Sequence, residues 1–243
     1  MDFSFDFNGR HVLVTGGSSG IGLATASSFR AAGAEVTVTG RRARAQDYDT
    51  DLSDLRYVPC EMTDPEQIEA LADGLDRLDV LVNNAGQNLA RRNEWTPEVF
   101  EETLRINLSS TFRLSKACHK LLADGGGSVV NMASMTSYQA VEVVPAYGAA
   151  KAGVVQLTMS LALTWARDSI RVNAVAPGLT ETNMTAGMVA DEATVGPTIA
   201  RTPMGRIGTP DDIAPVVMFL ASDAAGFLTG QTIAVDGGYL IQG

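Results

Sequence analysis

A tyrosine and a lysine lie four residues apart in the stretch PAYGAAKAGV, as Tyr147 and Lys151, among small apolar residues. Four residues are just over one helical turn, so in a helix both side chains project from one face. A positive charge beside a tyrosine lowers its pKa from about 10 toward neutrality. Such a phenol can exchange protons at physiological pH. The pair is therefore a candidate acid–base centre, although the spacing alone also suits an aromatic anchor beside a snorkelling lysine.

A glycine-rich turn, VTGGSSGIG, joins the first predicted strand to the helix that follows it. Glycines let the backbone approach a diphosphate, and the helix N-terminus adds unpaired N–H groups and a partial positive charge. The turn lacks the Gly-Lys-Ser/Thr sequence of a triphosphate-binding loop. It predicts a dinucleotide site, with a simple tight turn as the alternative. The candidate contacts are Gly16, Ser18, Ser19, Gly20 and Ile21.

The end of the second predicted strand, TVTGRR, indicates which dinucleotide is bound. A carboxylate at this point normally holds the ribose 2′-hydroxyl of NAD. Here Gly40 takes that place, Arg41 and Arg42 follow, and the next carboxylate is Asp47. A guanidinium can bind a 2′-phosphate in bidentate fashion, so we expect NADP(H) rather than NAD(H). The alternative is that these arginines belong to a solvated turn.

The elements that must position these residues alternate between short β-rich runs and longer helical patterns. That alternation is typical of a parallel sheet covered by helices on both faces. The sequence therefore predicts a single-domain α/β fold spanning residues 1–243, Rossmann-type and doubly wound, with about seven strands. The predicted strands are HVLVTG, EVTVTG, RYVPCEM, DVLVNNAG, SVVNMAS, IRVNAVAPG and QTIAVDGG.

The helical patterns between these strands include one long run, TPEVFEETLRINLSSTFRLSKACHKLLA, and a small-residue helix over residues 146–168. The segment from about 180 to 209 has no clean period and is long for a plain connection. Irregular segments of this length are often functional, so we expect it to be the substrate loop.

Composition excludes several classes of protein. A chain of 243 residues with 45% hydrophobic content can build one large core, and its net charge of −10 disfavours nucleic-acid binding. Cys60 and Cys118 have neither disulfide nor zinc-ligand spacing, which predicts buried thiols and no metal. The N-terminus lacks the pattern of a signal peptide, and no run approaches the roughly 18 apolar residues of a membrane span. We expect a cytoplasmic protein.

Several motifs together resemble the short-chain dehydrogenase/reductase family. They are TGGSSGIG at 15–22, NNAG at 83–86, Asn107 in RINLSS, Ser134 in NMASM, YGAAK at 147–151, PGLTET at 177–182 and VDGG at 235–238. Each is weak alone, but the set stands in family order from about Arg10 to Gly238. The resemblance implies a carbonyl–alcohol oxidoreductase with a nicotinamide cofactor.

The same resemblance implies roles for four catalytic residues. Tyr147 is the expected general acid in reduction and base in oxidation, and Lys151 lowers its pKa and holds the nicotinamide ribose. Ser134 binds the substrate oxygen. Asn107 interrupts its helix and holds a water that links the lysine to solvent, the alternative being a polar residue on an exposed helix face.

Further cofactor contacts follow from the resemblance at other strand ends. Glu61 stands where many relatives have Asp, which puts its contact with adenine in doubt. The implied contacts are Glu61, Met62, Asn84, Ala85, Gly86, Tyr147, Lys151, Pro177, Gly178, Thr180 and Thr182.

The substrate is not specified by these motifs. Candidate pocket positions are mainly apolar and predict a small hydrophobic ketone or secondary alcohol; they are Gln87, Thr136, Tyr138, Val141–Val144, Leu179, Met184 and Met188. One alternative is a 3-oxoacyl thioester on an acyl-carrier protein, with Arg91 and Arg92 as its support. Another is a non-catalytic dinucleotide-binding scaffold. The small-residue helix and the apolar C-terminus predict a homotetramer, with a dimer second.

Overall fold

Seven parallel strands form one sheet in the computed structural model, which describes residues 5–242. The strands are β1 His11–Val14, β2 Glu35–Gly40, β3 Arg56–Pro59, β4 Val80–Asn83, β5 Ser128–Met132, β6 Arg171–Pro177 and β7 Thr232–Val235. Their order is β3-β2-β1-β4-β5-β6-β7. The order reverses between β1 and β4, which opens a crevice at the carboxyl ends of the strands. The predicted Rossmann-type fold is confirmed.

Eight α-helices accompany the sheet within the described residues. They are α1 Gly20–Ala31, α2 Pro65–Asp73, α3 Pro97–Leu104, α4 Ser110–Ala123, α5 Pro145–Trp165, α6 Ala186–Val189, α7 Glu192–Arg201 and α8 Pro210–Ala221. Buried residues of α1 and α8 pack on one face of the sheet, and those of α2, α4 and α5 pack on the other. Along β1, Val12 and Val14 face the first core and Leu13 the second. The strands are apolar along almost their whole length because their side chains are buried on both faces of the sheet.

The long helical pattern after β4 differs from a single helix. A π-helical turn at Arg105–Ser109 separates α3 from α4. Such a turn inserts one extra residue per turn and is frequent at functional sites. The wider turn is centred on Asn107, whose side chain is fully buried. Periodicity alone did not distinguish this turn from a regular helix, because the apolar spacing on each side is helical.

The predicted substrate loop, 180–209, contains the two helices α6 and α7, which the sequence did not indicate. Asp191 caps α7, since its side chain accepts the N–H of Ala193. Pro197 lies inside α7, where it lacks a hydrogen-bond donor, and it masked the helical pattern. The segment is therefore partly helical, and within these two helices only Val195 is buried.

Two further observations concern the sequence expectations about cysteines and membranes. Cys60 and Cys118 are both buried free thiols, as predicted, and burial raises their pKa values to about 11 and about 12. Within residues 5–242, no helix is long and apolar enough to cross a bilayer. No cluster of three or more potential metal-ligating side chains occurs in that same range.

Candidate active site

The predicted catalytic side chains converge at the carboxyl end of β5. Tyr147 lies in the first turn of α5 and Lys151 in the second, with the lysine Nζ 5.5 Å from the centre of the tyrosine ring. Ser134 follows β5 by two residues and is 8% exposed. It interacts with the Tyr147 phenol and lowers its pKa. The predicted common face for tyrosine and lysine is confirmed.

Lys151 is held deep in the site. Its side chain is only 3% exposed, and Nζ donates to the backbone carbonyl of Met132 at 2.6 Å. A Cβ on Gly86 would lie 3.5 Å from Nζ, so the ammonium also borders the NNAG turn. Burial lowers the pKa of Lys151 to about 8.

The pKa of Tyr147 differs from the sequence expectation. Burial raises it to about 12, the Ser134 interaction lowers it, and the charge of Glu94 raises it. The expectation that Lys151 dominates this pKa is wrong for the groups of this chain. The physical reason is that the phenol and the ammonium are both withdrawn from water, so desolvation outweighs their mutual attraction.

Glu94 is a buried carboxylate that sequence analysis missed. It is fully inaccessible to solvent, Oε1 accepts the N–H of Leu89 at 2.8 Å, and Oε2 accepts the N–H of Tyr147 at 2.9 Å. It therefore joins the β4–α3 loop to the first turn of α5. In the sequence it is one of several acidic residues after NNAG, and nothing in its neighbours marks it as buried.

Asn107 lies in the π-helical turn and faces inward. Its Nδ2 donates to the carbonyls of Gln87 and Thr103 at 2.8 and 2.9 Å, and its Oδ1 accepts the N–H of Gln87 at 3.0 Å. The alternative of a polar residue on an exposed helix face is wrong, because the side chain is fully buried. The predicted helix interruption is confirmed, and the water-mediated link to Lys151 stays a prediction.

The glycine turn after β1 has the shape of a phosphate cradle. Gly16 and Gly20 have positive φ values of 64° and 54°. A Cβ on Gly22 would lie 2.3 Å from the carbonyl oxygen of Gly16, and one on Gly20 would lie 3.2 Å from the Thr182 side chain. Side chains at these positions would fill the cradle, so the turn fits a diphosphate beside the N-terminus of α1. Ser18, Ser19 and Ile21 lie within the same turn.

The NNAG turn supports this cradle. Asn84 donates from Nδ2 to the carbonyls of Thr15 and Gly16, at 2.8 and 3.3 Å. The Thr15 hydroxyl accepts the N–H groups of Asn84 and Ala85. The Asn84 amide is thus engaged in holding the glycine turn, which leaves the backbone of Ala85 and Gly86 as the surface facing the crevice.

At the end of β2, the arginines predicted to bind a 2′-phosphate are exposed. Neither Arg41 nor Arg42 forms a salt bridge with a carboxylate in the described part of the chain. Arg41 donates to the Gln87 side chain across the crevice at 3.4 Å. Gln87, expected in the substrate pocket, therefore lies on the cofactor side.

The two predicted contacts after β3 have local partners. The carboxylate of Glu61 accepts the N–H and the hydroxyl of Thr63, at 3.2 and 3.0 Å. The Met62 side chain is buried in the core next to Cys60. Both side chains are therefore engaged within the protein, and the role of these residues in cofactor binding stays a prediction.

The start of the substrate loop packs against the last strand. A Cβ on Gly178 would lie 2.8 Å from the Cα of Asp236, so only glycine fits after Pro177. The Thr180 hydroxyl donates to the Gly178 carbonyl, and the Thr182 hydroxyl lies 3.1 Å from that of Thr185. Both predicted threonines thus stabilise the turn that borders the glycine cradle.

Comparisons with known proteins agree with this geometry. The family model adh_short_C2, described as enoyl-(acyl carrier protein) reductase, matches residues 16–240. D-threitol dehydrogenase of Mycolicibacterium smegmatis is 37% identical over 100% of this chain and 97% of its own. Cis-4-hydroxycyclohexanecarboxylate dehydrogenase of Sinomonas cyclohexanicum is 39% identical over 96% and 97%. The chain belongs to the short-chain dehydrogenase/reductase family.

A solved structure of this family supports the same assignment. Gluconate 5-dehydrogenase of Burkholderia cenocepacia, in complex with NADP and tartrate, superposes with a TM-score of 0.89 and is 30% identical. The match covers 97% of each chain. As a short-chain dehydrogenase/reductase, the present protein is an oxidoreductase, and the relatives named above are dehydrogenases.

Several predicted pocket residues near this candidate site are apolar and exposed. Tyr138, Val143 and Met184, all predicted pocket positions, are 53%, 62% and 45% exposed. Trp95, which the sequence analysis missed, donates from Nε1 to the carbonyl of Glu142 in the loop that leads to Tyr147. The mouth of the site is therefore framed by the β4–α3 loop, the β5–α5 loop and the substrate loop.

Proposed function

We propose that this protein is an NADP(H)-dependent oxidoreductase that interconverts a carbonyl and a secondary alcohol on a small, mainly hydrophobic substrate. The observation that carries the proposal is the convergence of Ser134, Tyr147 and Lys151 beside the glycine cradle. In this proposal the whole chain, 1–243, is one catalytic unit in the cytoplasm, with residues 180–209 as the substrate loop.

Each side chain has a chemical role in the proposed reaction. NADPH supplies the hydride when it is bound. Ser134 holds the carbonyl oxygen, and Tyr147 donates its proton to that oxygen during reduction and accepts it during oxidation. Lys151 provides the positive charge that stabilises the phenolate and donates to the nicotinamide ribose. With its pKa raised to about 12, the phenol is protonated at neutral pH, which suits the general acid of a reduction.

The choice of NADP(H) rests on the end of β2. Gly40 removes the carboxylate that would repel a 2′-phosphate, and Arg41 and Arg42 offer exposed guanidinium groups beside it. The Burkholderia relative holds NADP, in line with this choice. A parallel fluorescence titration tests it: we expect NADPH to bind at least tenfold more tightly than NADH, and equal or tighter binding of NADH would reverse the assignment.

The decisive test of the reaction is the Tyr147→Phe variant. Absorbance at 340 nm would follow NADPH and NADH consumption across ketones, aldehydes, quinones and thioesters. We expect turnover of the best ketone to fall by roughly 10²–10⁴-fold, the usual contribution of a positioned acid. Binding of NADPH should persist. Undiminished turnover in this variant would refute the proposed role of Tyr147.

A 3-oxoacyl-thioester reductase is the second candidate; the description of the matching family model names an acyl-carrier-protein substrate, but with an enoyl group in place of the 3-oxoacyl group. Its support in the site is limited to Arg91, because Arg92 forms a bidentate pair with Glu102 at 2.7 Å. Preferential, saturable reduction of an acyl-carrier thioester over free ketones would establish it. The third candidate is a non-catalytic scaffold. Any turnover that depends on Tyr147 would exclude it.

We also propose a homotetramer, with a dimer as the alternative. Phe112 on α4 and Met159 and Leu163 on α5 are 47%, 42% and 84% exposed, and both helices pack on the same face of the sheet. Exposed apolar side chains grouped in this way are typical of interfaces. Light scattering at working concentration should give four times the 25.6 kDa of one chain, whereas single chains alone would contradict both assemblies.

A further inference from the structure

Two tyrosines occupy the space beyond the end of β2. The Tyr48 hydroxyl accepts the N–H of Arg42 at 3.1 Å, and the Arg42 guanidinium lies 4.8 Å from the centre of the Tyr48 ring. The hydroxyl of Tyr57, from β3, lies 3.4 Å from that of Tyr48. Both phenols are therefore located at the point where a dinucleotide-binding sheet carries the group that reads the ribose.

The hydrogen-bond donors in this cluster are not equally engaged. Tyr57 donates to the carbonyl of Arg42 at 2.6 Å, which uses its only hydroxyl proton. In the contact between the two phenols, Tyr48 is therefore the donor, at a long distance of 3.4 Å. A proton held so weakly is readily given to a stronger acceptor, because hydrogen bonds to charged groups are about twice as strong as neutral ones.

The surroundings of Tyr48 favour an anion. Arg41 and Arg42 are exposed on the same segment, and Ser18 of the glycine turn also interacts with the Tyr48 hydroxyl. Burial acts to raise the pKa of Tyr48, but the backbone N–H of Arg42, whose hydrogen bond the hydroxyl accepts, contributes to lowering it overall. The hydroxyl thus lies between the arginine pair and the glycine cradle, as a neutral donor beside two cations.

We propose that the Tyr48 hydroxyl directly binds the 2′-phosphate of NADP(H), and that Tyr57 orients it by occupying the Arg42 carbonyl. The inference deepens the proposed function and rests on it. The position of Tyr48 also matches the glycine at the end of β2: a Cβ on Gly40 would lie 2.3 Å from the Tyr48 hydroxyl oxygen, so this structure leaves no room there for the carboxylate that binds a ribose 2′-hydroxyl. Tyr48 therefore contributes to selectivity by binding the 2′-phosphate, which NAD(H) lacks.

Calorimetry with nucleotide fragments tests this without turnover. 2′,5′-ADP carries the 2′-phosphate, and 5′-ADP lacks it. We expect Tyr48→Phe to weaken binding of 2′,5′-ADP by about tenfold or more, the usual loss for a hydrogen bond to a charged group, and to leave 5′-ADP unchanged. Tyr239→Phe, which removes the hydroxyl of a tyrosine whose ring packs against Arg201 near the end of the chain, is the matched control and should alter neither affinity.

The outcomes separate the inference from the proposed function. Wild-type selectivity for 2′,5′-ADP that survives Tyr48→Phe overturns the role of Tyr48 and leaves NADP(H) as the cofactor. Equal binding of both fragments by the wild-type chain overturns the cofactor assignment and the inference together. Unchanged affinity for 5′-ADP in the variant also shows that the variant is folded.

Discussion

The buried carboxylate of Glu94 accepts the backbone N–H of Tyr147 at 2.9 Å. Its other oxygen accepts the N–H of Leu89 at 2.8 Å, so one side chain fixes the start of α5 to the β4–α3 loop. A carboxylate at a helix N-terminus satisfies backbone donors that have no partner within the helix. Glu94 is therefore a positioning residue for the proposed general acid, and it acts on the phenol through charge as well.

Glu94→Gln tests both effects. Its amide NH₂ would face a backbone N–H, which leaves one donor unpaired and should lower the free energy of unfolding by about 1–3 kcal/mol. Because the Glu94 charge raises the pKa of Tyr147, the variant should have a lower tyrosine pKa. The rising limb of alcohol oxidation against pH should then shift to lower pH.

The matched control for Glu94→Gln is Glu98→Gln, on the exposed face of α3. We expect it to leave the pH profile in place. If the Glu94→Gln variant loses turnover but its rate of alcohol oxidation still rises over the same pH range as in the wild type, Glu94 has only a structural role.

Lys151→Met should separate stability from activity. Lowering the lysine pKa from 10.5 to about 8 means that, below pH 8, the folded chain holds a charged and desolvated ammonium. The cost is on the order of 3 kcal/mol, and in the variant about 1 kcal/mol or more of the gain is lost because the Met132 carbonyl loses its donor. At pH 7 we expect the variant to be about 1–2 kcal/mol more stable than wild type and inactive.

The difference in stability between Lys151→Met and the wild type should depend on pH. Between pH 8 and 10.5 the folded wild-type chain has released the proton that the unfolded chain still binds, so wild-type stability rises with pH. The advantage of Lys151→Met should therefore shrink across that range. Urea unfolding at several pH values measures it, with Lys120→Met on α4 as an exposed control. A difference that stays constant with pH would count against the buried charge.

Gly22→Ala should damage the phosphate cradle. The new Cβ would lie 2.3 Å from the Gly16 carbonyl oxygen, and a backbone atom cannot yield as a flexible side chain does. We expect affinity for NADPH to fall at least tenfold, about 1.4 kcal/mol. Gly196→Ala in α7 is the control, since its Cβ would meet nothing within 4 Å. Equal NADPH affinity in both variants, measured by fluorescence, would show that the turn does not hold the cofactor.

Arg91 and Arg92 should differ in their effect on substrates. Within the described residues Arg91 forms no salt bridge, and its Nη2 lies 3.1 Å from the position of a Cβ on Gly187 in α6. We expect Arg91→Ala to raise KM at least fivefold for a ketone bearing a carboxylate, and to leave KM for its neutral analogue unchanged. Arg92→Ala breaks an exposed pair with Glu102, which lies outside the site, and should change neither KM value. A parallel rise for both substrates in Arg91→Ala would exclude charge recognition.

Local sequence determined much of this protein. Short stretches of sequence contain the glycines at positive φ, the strand ends followed by polar residues and the helical spacing of Tyr147 and Lys151. The sheet, the glycine cradle and the convergence of these two side chains could therefore be predicted. The helix break at Asn107 was implied by resemblance and has a local cause in the residue type.

Only the tertiary structure decided the roles of Glu94 and Tyr48 and the pKa of Tyr147. These properties depend on which groups are removed from water and on which distant segments come into contact. Glu94 and Tyr48 are ordinary surface-type residues in sequence, and only the folded chain buries the first against α5 and brings the second to Gly40. For the same reason the pKa of Tyr147 is raised, whereas the sequence predicted that it would be lowered. Spacing places a charge beside a phenol, but the desolvation that outweighs that charge comes from elements distant in the chain.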